Sequence, residues 1–168
     1  VPVGSYPVEL SVCSSDIVGL RVAAARLILS DKPAVRYEIA MPKGSRAEDF
    51  GKPRVFTFFG VDCGLACFAD VQAEAEYREF FERWQGENLG KNKYDDYFAA
   101  LFADSYEKHP KIQNQGGDFL HWEIPGTGHK LAFFSSGMGD GIYSGYWGLN
   151  EQGEAVSLVV PFMNPEYF

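Results

Sequence analysis

Three aspartates stand where the chain could gather charge for chemistry. Asp140 lies in Gly137-Met138-Gly139-Asp140-Gly141, bracketed by glycines that permit positive φ and let a ligand or a second backbone come close. Tyr143, Tyr146 and Trp147 follow, and strand spacing puts Tyr143 and Trp147 on one face with Gly145 between them, a shelf for a ring or a neighbouring chain. Two uses fit this stretch. One is a pocket wall, with Gly139, Asp140, Gly141, Tyr143, Tyr146 and Trp147 as binding residues. The other is a tight turn in which Asp140 makes an Asx hydrogen bond above aromatic core packing. A phosphate cradle does not fit, because no helix follows the glycines and the neighbourhood is acidic.

The second candidate is Phe59-Gly60-Val61-Asp62-Cys63-Gly64, with Asp70 eight residues beyond Asp62. A strand, a turn and a return strand would bring Asp62 and Asp70 to one sheet end. With Asp140 they would form a three-carboxylate cluster. Such a cluster could hold Ca²⁺ or Mg²⁺, the only cofactors the residues suggest, or raise one carboxyl's pKa for acid–base work. Asp62 also suits a turn and Asp70 a helix cap. Other metal and nucleophile sets find no support. His109, His121 and His129 lack ligand spacing, and Cys63 and Cys67 have no second pair, which leaves Cys67 for core packing. There is no Gly-x-Ser-x-Gly elbow.

The elements that must position these residues follow from periodicity. Tyr6–Cys13 alternates apolar and polar residues, as strands do, and so does the stretch Val35, Tyr37, Ile39. Leu20–Leu29 reads as a strand with Ala23, Ala25, Leu27 and Leu29 inward. Met41–Pro53 is a polar loop. Arg54–Val61 is apolar on both sides and reads as a central buried strand, followed by the short return strand Leu65–Ala69. Then Tyr77, Phe80, Phe81 and Trp84 recur at helical spacing, with Asp70 as N-cap. A second helix carries Tyr94, Tyr97, Phe98, Leu101 and Phe102, opened by an Asn92–Asp95 capping pair and stopped at His109-Pro110. Phe119–Ile124, His129–Ser135, Ile142–Gly148 and Ala155–Phe162 read as four strands joined by hairpin turns. The expected fold is α+β over one domain, residues 1–168. It is a mostly antiparallel, sandwich-like β-sheet with two aromatic-faced helices inserted between an N-terminal and a C-terminal group of strands.

Composition narrows the partners. The 168 residues carry 15 Lys and Arg against 23 Asp and Glu, a net charge of −8. That speaks against nucleic acid and against an anionic membrane surface, and for a partner with a basic face. Three cysteines are odd in number and too few for a disulfide framework, so buried, reduced thiols and the cytoplasm are expected. No apolar run is long enough for a membrane span. The chain opens on Val1, not Met, and reads as a processed or trimmed product.

Four stretches together resemble the mainly bacterial family of domain of unknown function 4241. They are Gly4–Val12, Arg21–Ser30, Phe59–Asp70 and the long Gly137–Phe162 segment with its Gly-Asp-Gly turn. The resemblance covers nearly the whole chain and implies a bacterial, intracellular setting. It implies no reaction. The functional expectation is therefore a non-enzymatic protein-binding module, immunity-like or accessory. The alternatives are a small hydrolase or divalent-metal enzyme using Asp62, Asp70 and Asp140, and a small-molecule binder with Tyr143–Trp147 as its floor.

Overall fold

The computed structural model describes residues 1–167, in an α+β arrangement of ten strands in three antiparallel sheets with two helices. The largest sheet has the order β1-β2-β10-β9-β3, built from Val8–Ser15, Gly19–Ile28, Ala155–Pro161, Tyr146–Leu149 and Arg36–Ile39. A three-stranded sheet has the order β5-β7-β6, from Leu65–Phe68, Lys130–Ser135 and Phe119–Glu123. A two-stranded ribbon pairs β4 (Phe59–Val61) with β8 (Gly141–Tyr143).

The three-stranded sheet is the middle layer, because β7 has apolar residues on both faces. Leu131 and Phe133 point to one side and meet Phe81, Phe98, Phe102 and Trp122, the core shared with the helices. Phe134 points to the other and meets Val22, Ala25, Val160 and Phe162 of the large sheet. The two sheets thus stack face to face, and the helices close the far side. The middle sheet and both helices come from one continuous stretch, Leu65 to Ser135, whereas the large sheet draws on both ends of the chain.

Helix α1 (Val71–Glu87) forms as its aromatic stripe dictates. Asp70 caps it, its Oδ1 accepting from the backbone N–H groups of Gln72 (2.7 Å) and Ala73 (2.8 Å). Phe80, Phe81, Trp84, Phe98, Leu101 and Phe102 are all buried or half-buried against the sheet. The second helix begins differently from expectation. Lys93–Phe98 is a π-helical turn that runs into α2 (Ala99–Lys108). Asn92 does cap it, through Tyr94 N–H at 2.7 Å, but the reciprocal acceptor for Asn92 N–H is Asp96 and not Asp95. A π turn carries an extra residue, which moves the reciprocal partner along by one.

Other expectations are corrected. Arg54–Val61 is not a buried central strand. Only Phe59–Val61 pairs, and Phe56 and Phe58 are 60% and 47% exposed. Ile142–Gly148 is not one strand of one sheet, because β8 pairs with β4 while β9 pairs with β10 and β3. Ser136–Gly141 is accordingly no hairpin, since it carries the chain from the middle sheet to the ribbon. In β2 a bulge opposite Ser11/Val12 leaves Ala23 out of the ladder, so Val22 and Ala23 are both buried. The freed Ala23 carbonyl accepts from Phe162 N–H at 2.8 Å. Cys63 and Cys67 are exposed and Cys13 half-buried, so Cys67 is not core packing.

Candidate functional site

The glycine turn after β7 is wound on itself. Ser136 is fully buried, and its Oγ donates to the Gly139 carbonyl at 2.8 Å. The Tyr143 hydroxyl points between the carbonyls of Gly139 (2.7 Å) and Ser136 (2.9 Å). Gly137 has φ +62, and a Cβ there would lie 2.9 Å from the Phe162 Cβ, so both conformation and space demand glycine. The turn is also tied to the one after β4. Ser136 N–H donates to the Gly64 carbonyl at 3.0 Å, and Gly64 N–H donates to Asp140 Oδ1 at 2.8 Å. Asp140 therefore makes a cross-link over 76 residues of chain and not a local Asx bond.

The expected three-carboxylate cluster does not form. Asp70 is occupied at the start of α1 and Asp140 at Gly64. Asp62 is exposed in the turn after β4. Among the described residues no three His, Cys, Asp or Glu side chains are grouped to hold a metal ion. One oxygen of Asp70 and one of Asp140 thus serve as acceptors for backbone N–H groups. The aromatic residues part company too. Tyr143 packs on Phe162 at 5.0 Å, whereas Tyr146 and Trp147 belong to β9, opposite Val159 and Leu158.

The fork that separates them builds a groove. Residues 141–149 pair first with β4 and then, from Gly145 on, with β3; Ala40 N–H donates to the Gly145 carbonyl at 2.7 Å. The segment before β4 must leave the ladder at this point. Residues 56–58 have no regular secondary structure, and the rings of Phe56 and Phe58 lie edge to face at 5.4 Å. Beneath lies an open groove of about 360 Å³. Its floor is Ala66, Phe68, Phe134, Leu158 and Val160, and Gly145 also lines it. A Cβ on Gly145 would meet Leu158, Ala40 and Val160 at 3.4–3.8 Å, ordinary contact with three lining residues. Of the two candidate stretches only Phe59 and the Gly145 shelf belong to this groove. Reasoning on local pattern missed the rest, because six separated segments assemble it.

The turn and strand after β4 carry a second set of polar atoms. Burial pushes the Tyr77 hydroxyl up to about 12, with the Cys67 and Cys63 thiols adding to the rise. Burial also raises Tyr94, reinforced by its hydrogen bond with Cys63. Lys93 Nζ sits 5.1 Å from the Tyr94 ring centre and 5.4 Å from that of Tyr77. Both phenols thus stay protonated at neutral pH. Cys67 is exposed as a residue, yet desolvation of its sulfur raises the thiol as well, which keeps it from being a ready nucleophile.

Comparison with known families is decisive on kinship. The pattern of DUF4241, described as a protein of unknown function, matches residues 1–160. The chain belongs to that family. The DUF4241 match takes in β1 through most of β10, so the glycine turn, the Gly64 cross-link and the fork at Gly145 all fall within it. No curated protein and no solved structure matches this DUF4241 chain significantly. Among the described residues no helix is long and apolar enough to cross a membrane.

Proposed function

We propose that this chain is a non-enzymatic binding module that takes an apolar group into the groove at the fork of β3 and β4. The observation that carries the reading is the groove itself. About 360 Å³ falls in the range of small-ligand sites, roughly 300–1,000 Å³. Its lining is apolar but for Thr57 and the Cys67 thiol, and Phe56 and Phe58 flank it while still exposed to water. Covering such rings is favourable by roughly 25 cal/mol per Å² of apolar surface, so an occupant gains from the mouth as well as the floor. The enzymatic alternative loses support, because Asp70 and Asp140 spend oxygens on backbone N–H groups. Three free cysteines suit a reducing compartment, and the reading places the module in the cytoplasm.

The test uses an uncharged dye, Nile red, whose emission rises in apolar surroundings. The wild type should bind it, and Gly145→Val, which fills the floor from a position with no positive φ, should lose most of that signal while keeping its melting temperature. Equal dye binding by the two proteins rejects the groove.

A second reading, a protein partner with a basic face, is favoured by the outer face of α1. Glu79 and Glu82 are exposed there, while Glu74 pairs with Arg78, in a chain of net charge −8. Under it, Glu79→Lys with Glu82→Lys should abolish retention on a polylysine surface at low salt. Unchanged retention rejects it.

A further inference from the structure

We infer that the ligand of the groove is a monomeric anionic amphiphile, one alkyl chain of roughly ten carbons ending in a carboxylate or a similar acid. This rests on the groove being the binding element and adds which molecule it takes. The size follows from the groove. At roughly 30 Å³ for a water-sized group, 360 Å³ holds about a dozen such groups, which suits a medium alkyl chain.

A charged head cannot follow the chain inside. No lining side chain is charged, and an unpaired ion buried among Phe68, Phe134, Leu158 and Val160 would have nothing to offset its lost hydration. The head must stay at the mouth, and the mouth sets its sign. The groove's two lips are Ala40–Pro42 and Phe56–Phe59, joined by residues 43–55. Residues 41–54 hold Lys43, Arg46, Lys52 and Arg54 against Glu48 and Asp49, a local charge of +2 in a chain of −8. Lys52 pairs with Asp49 at 2.7 Å and Arg46 with Glu48 at 3.6 Å. Lys43 and Arg54 are exposed and make no ion pair among the described residues. Lys43 adjoins the lining residue Pro42, and Arg54 stands two residues before the lining residue Phe56. One cation with no ion pair thus adjoins each lip along the chain. The distant carboxylates do not cancel them, since screening at physiological salt cuts their reach to about 8 Å. An anionic bilayer would meet Glu48 and Asp49 of the same loop as well as its cations, so the occupant we commit to is the monomeric amphiphile.

Calorimetric titration of the full chain tests this with sodium decanoate, decyltrimethylammonium and decanol, each below its aggregation concentration. Decanoate should bind at least tenfold more tightly than decyltrimethylammonium, with decanol between them. Lys43→Glu combined with Arg54→Glu should reverse the order of the charged pair. Both side chains are exposed, so melting should confirm that the double variant is folded. Gly145→Val should weaken decanoate at least tenfold. Equal binding of the three heads overturns the inference, as does an order that survives the double variant. So does binding only to phosphatidylglycerol vesicles. If Nile red still binds the wild type in any of these cases, the groove stands and only the anionic ligand falls. If the dye and all three probes fail, both fall.

Discussion

Replacing Asp140 by alanine removes one hydrogen bond whose other end is known, the N–H of Gly64 at 2.8 Å. A bond to an ionised acceptor is worth about 1.5–3 kcal/mol when desolvated. Asp140 is exposed and Gly64 half-buried, so water recovers part of the loss and the net cost should be about 1–2 kcal/mol. In a chain of this size each kcal/mol moves the melting temperature by about 2–4 °C, so Asp140→Ala should melt roughly 2–8 °C below wild type. Asn keeps an acceptor oxygen in the same place and loses only its charge, so Asp140→Asn should cost less than about 1 kcal/mol. The order wild type, Asn, Ala is the signature of a structural latch. Circular-dichroism melting at pH 7 reads it, with and without millimolar Ca²⁺ or Mg²⁺. An Asn variant as unstable as the Ala variant would refute the reasoning. So would an ion that raises the melting temperature of the wild type and not of Asp140→Asn, because a ligand stabilises only the form that binds it.

Three further outcomes follow from the packing and the charges. Phe98 is 2% exposed and packs within 5.1–5.3 Å of the rings of Phe133, Trp122 and Phe81, so Phe98→Ala should cost about 3–5 kcal/mol in chemical denaturation. Gly137→Ala should cost more than about 1–2 kcal/mol, the penalty of the left-handed conformation alone, because its Cβ also meets Phe162; an unchanged melting temperature would contradict the turn geometry. Burial pushes the Glu76 carboxyl up, but hydrogen bonds from Gln72, His129 and Thr127 outweigh it and hold the group below its ordinary 4.5. Its stabilising effect is therefore full above that value and lost as pH falls through the lowered one, so a stability profile from pH 6 to pH 3 should fall less steeply in Glu76→Gln.

Elements governed by neighbours in sequence were legible. The stripe Tyr77, Phe80, Phe81, Trp84 sets a helix because these positions share one face, and Asp70 caps it because its acceptor reaches two N–H groups just ahead. Elements governed by distant partners were not. Arg54–Val61 has the composition of a buried strand, yet its first half is displaced by β3, which claims the same strand edge from Gly145 onward. Nothing within those eight residues records that competition. Asp140 was legible as a special residue but not in its role, because Gly64 stands 76 positions away. The extra residue of the π turn likewise leaves the aromatic spacing intact while moving the cap partner from Asp95 to Asp96.

The uneven use of the chain has a consequence for biosynthesis. Leu65–Ser135 leaves the ribosome as one piece and contains every strand and helix of two layers, so this part is free to collapse while translation continues. Its sheet then presents Ala66, Phe68 and Phe134 with nothing against them. The β1–β2 hairpin, made earlier, must wait, for its inner edge belongs to β10, which is synthesised after every other strand. Until then the nascent chain holds an unpaired strand edge and two uncovered apolar faces, the combination that invites mispairing between neighbouring chains. Val159 and Val160 of β10, placed opposite Arg26 and Ala25, end that exposure in a single docking event. Slowing translation before residue 155 should therefore raise aggregation more than slowing it before residue 65.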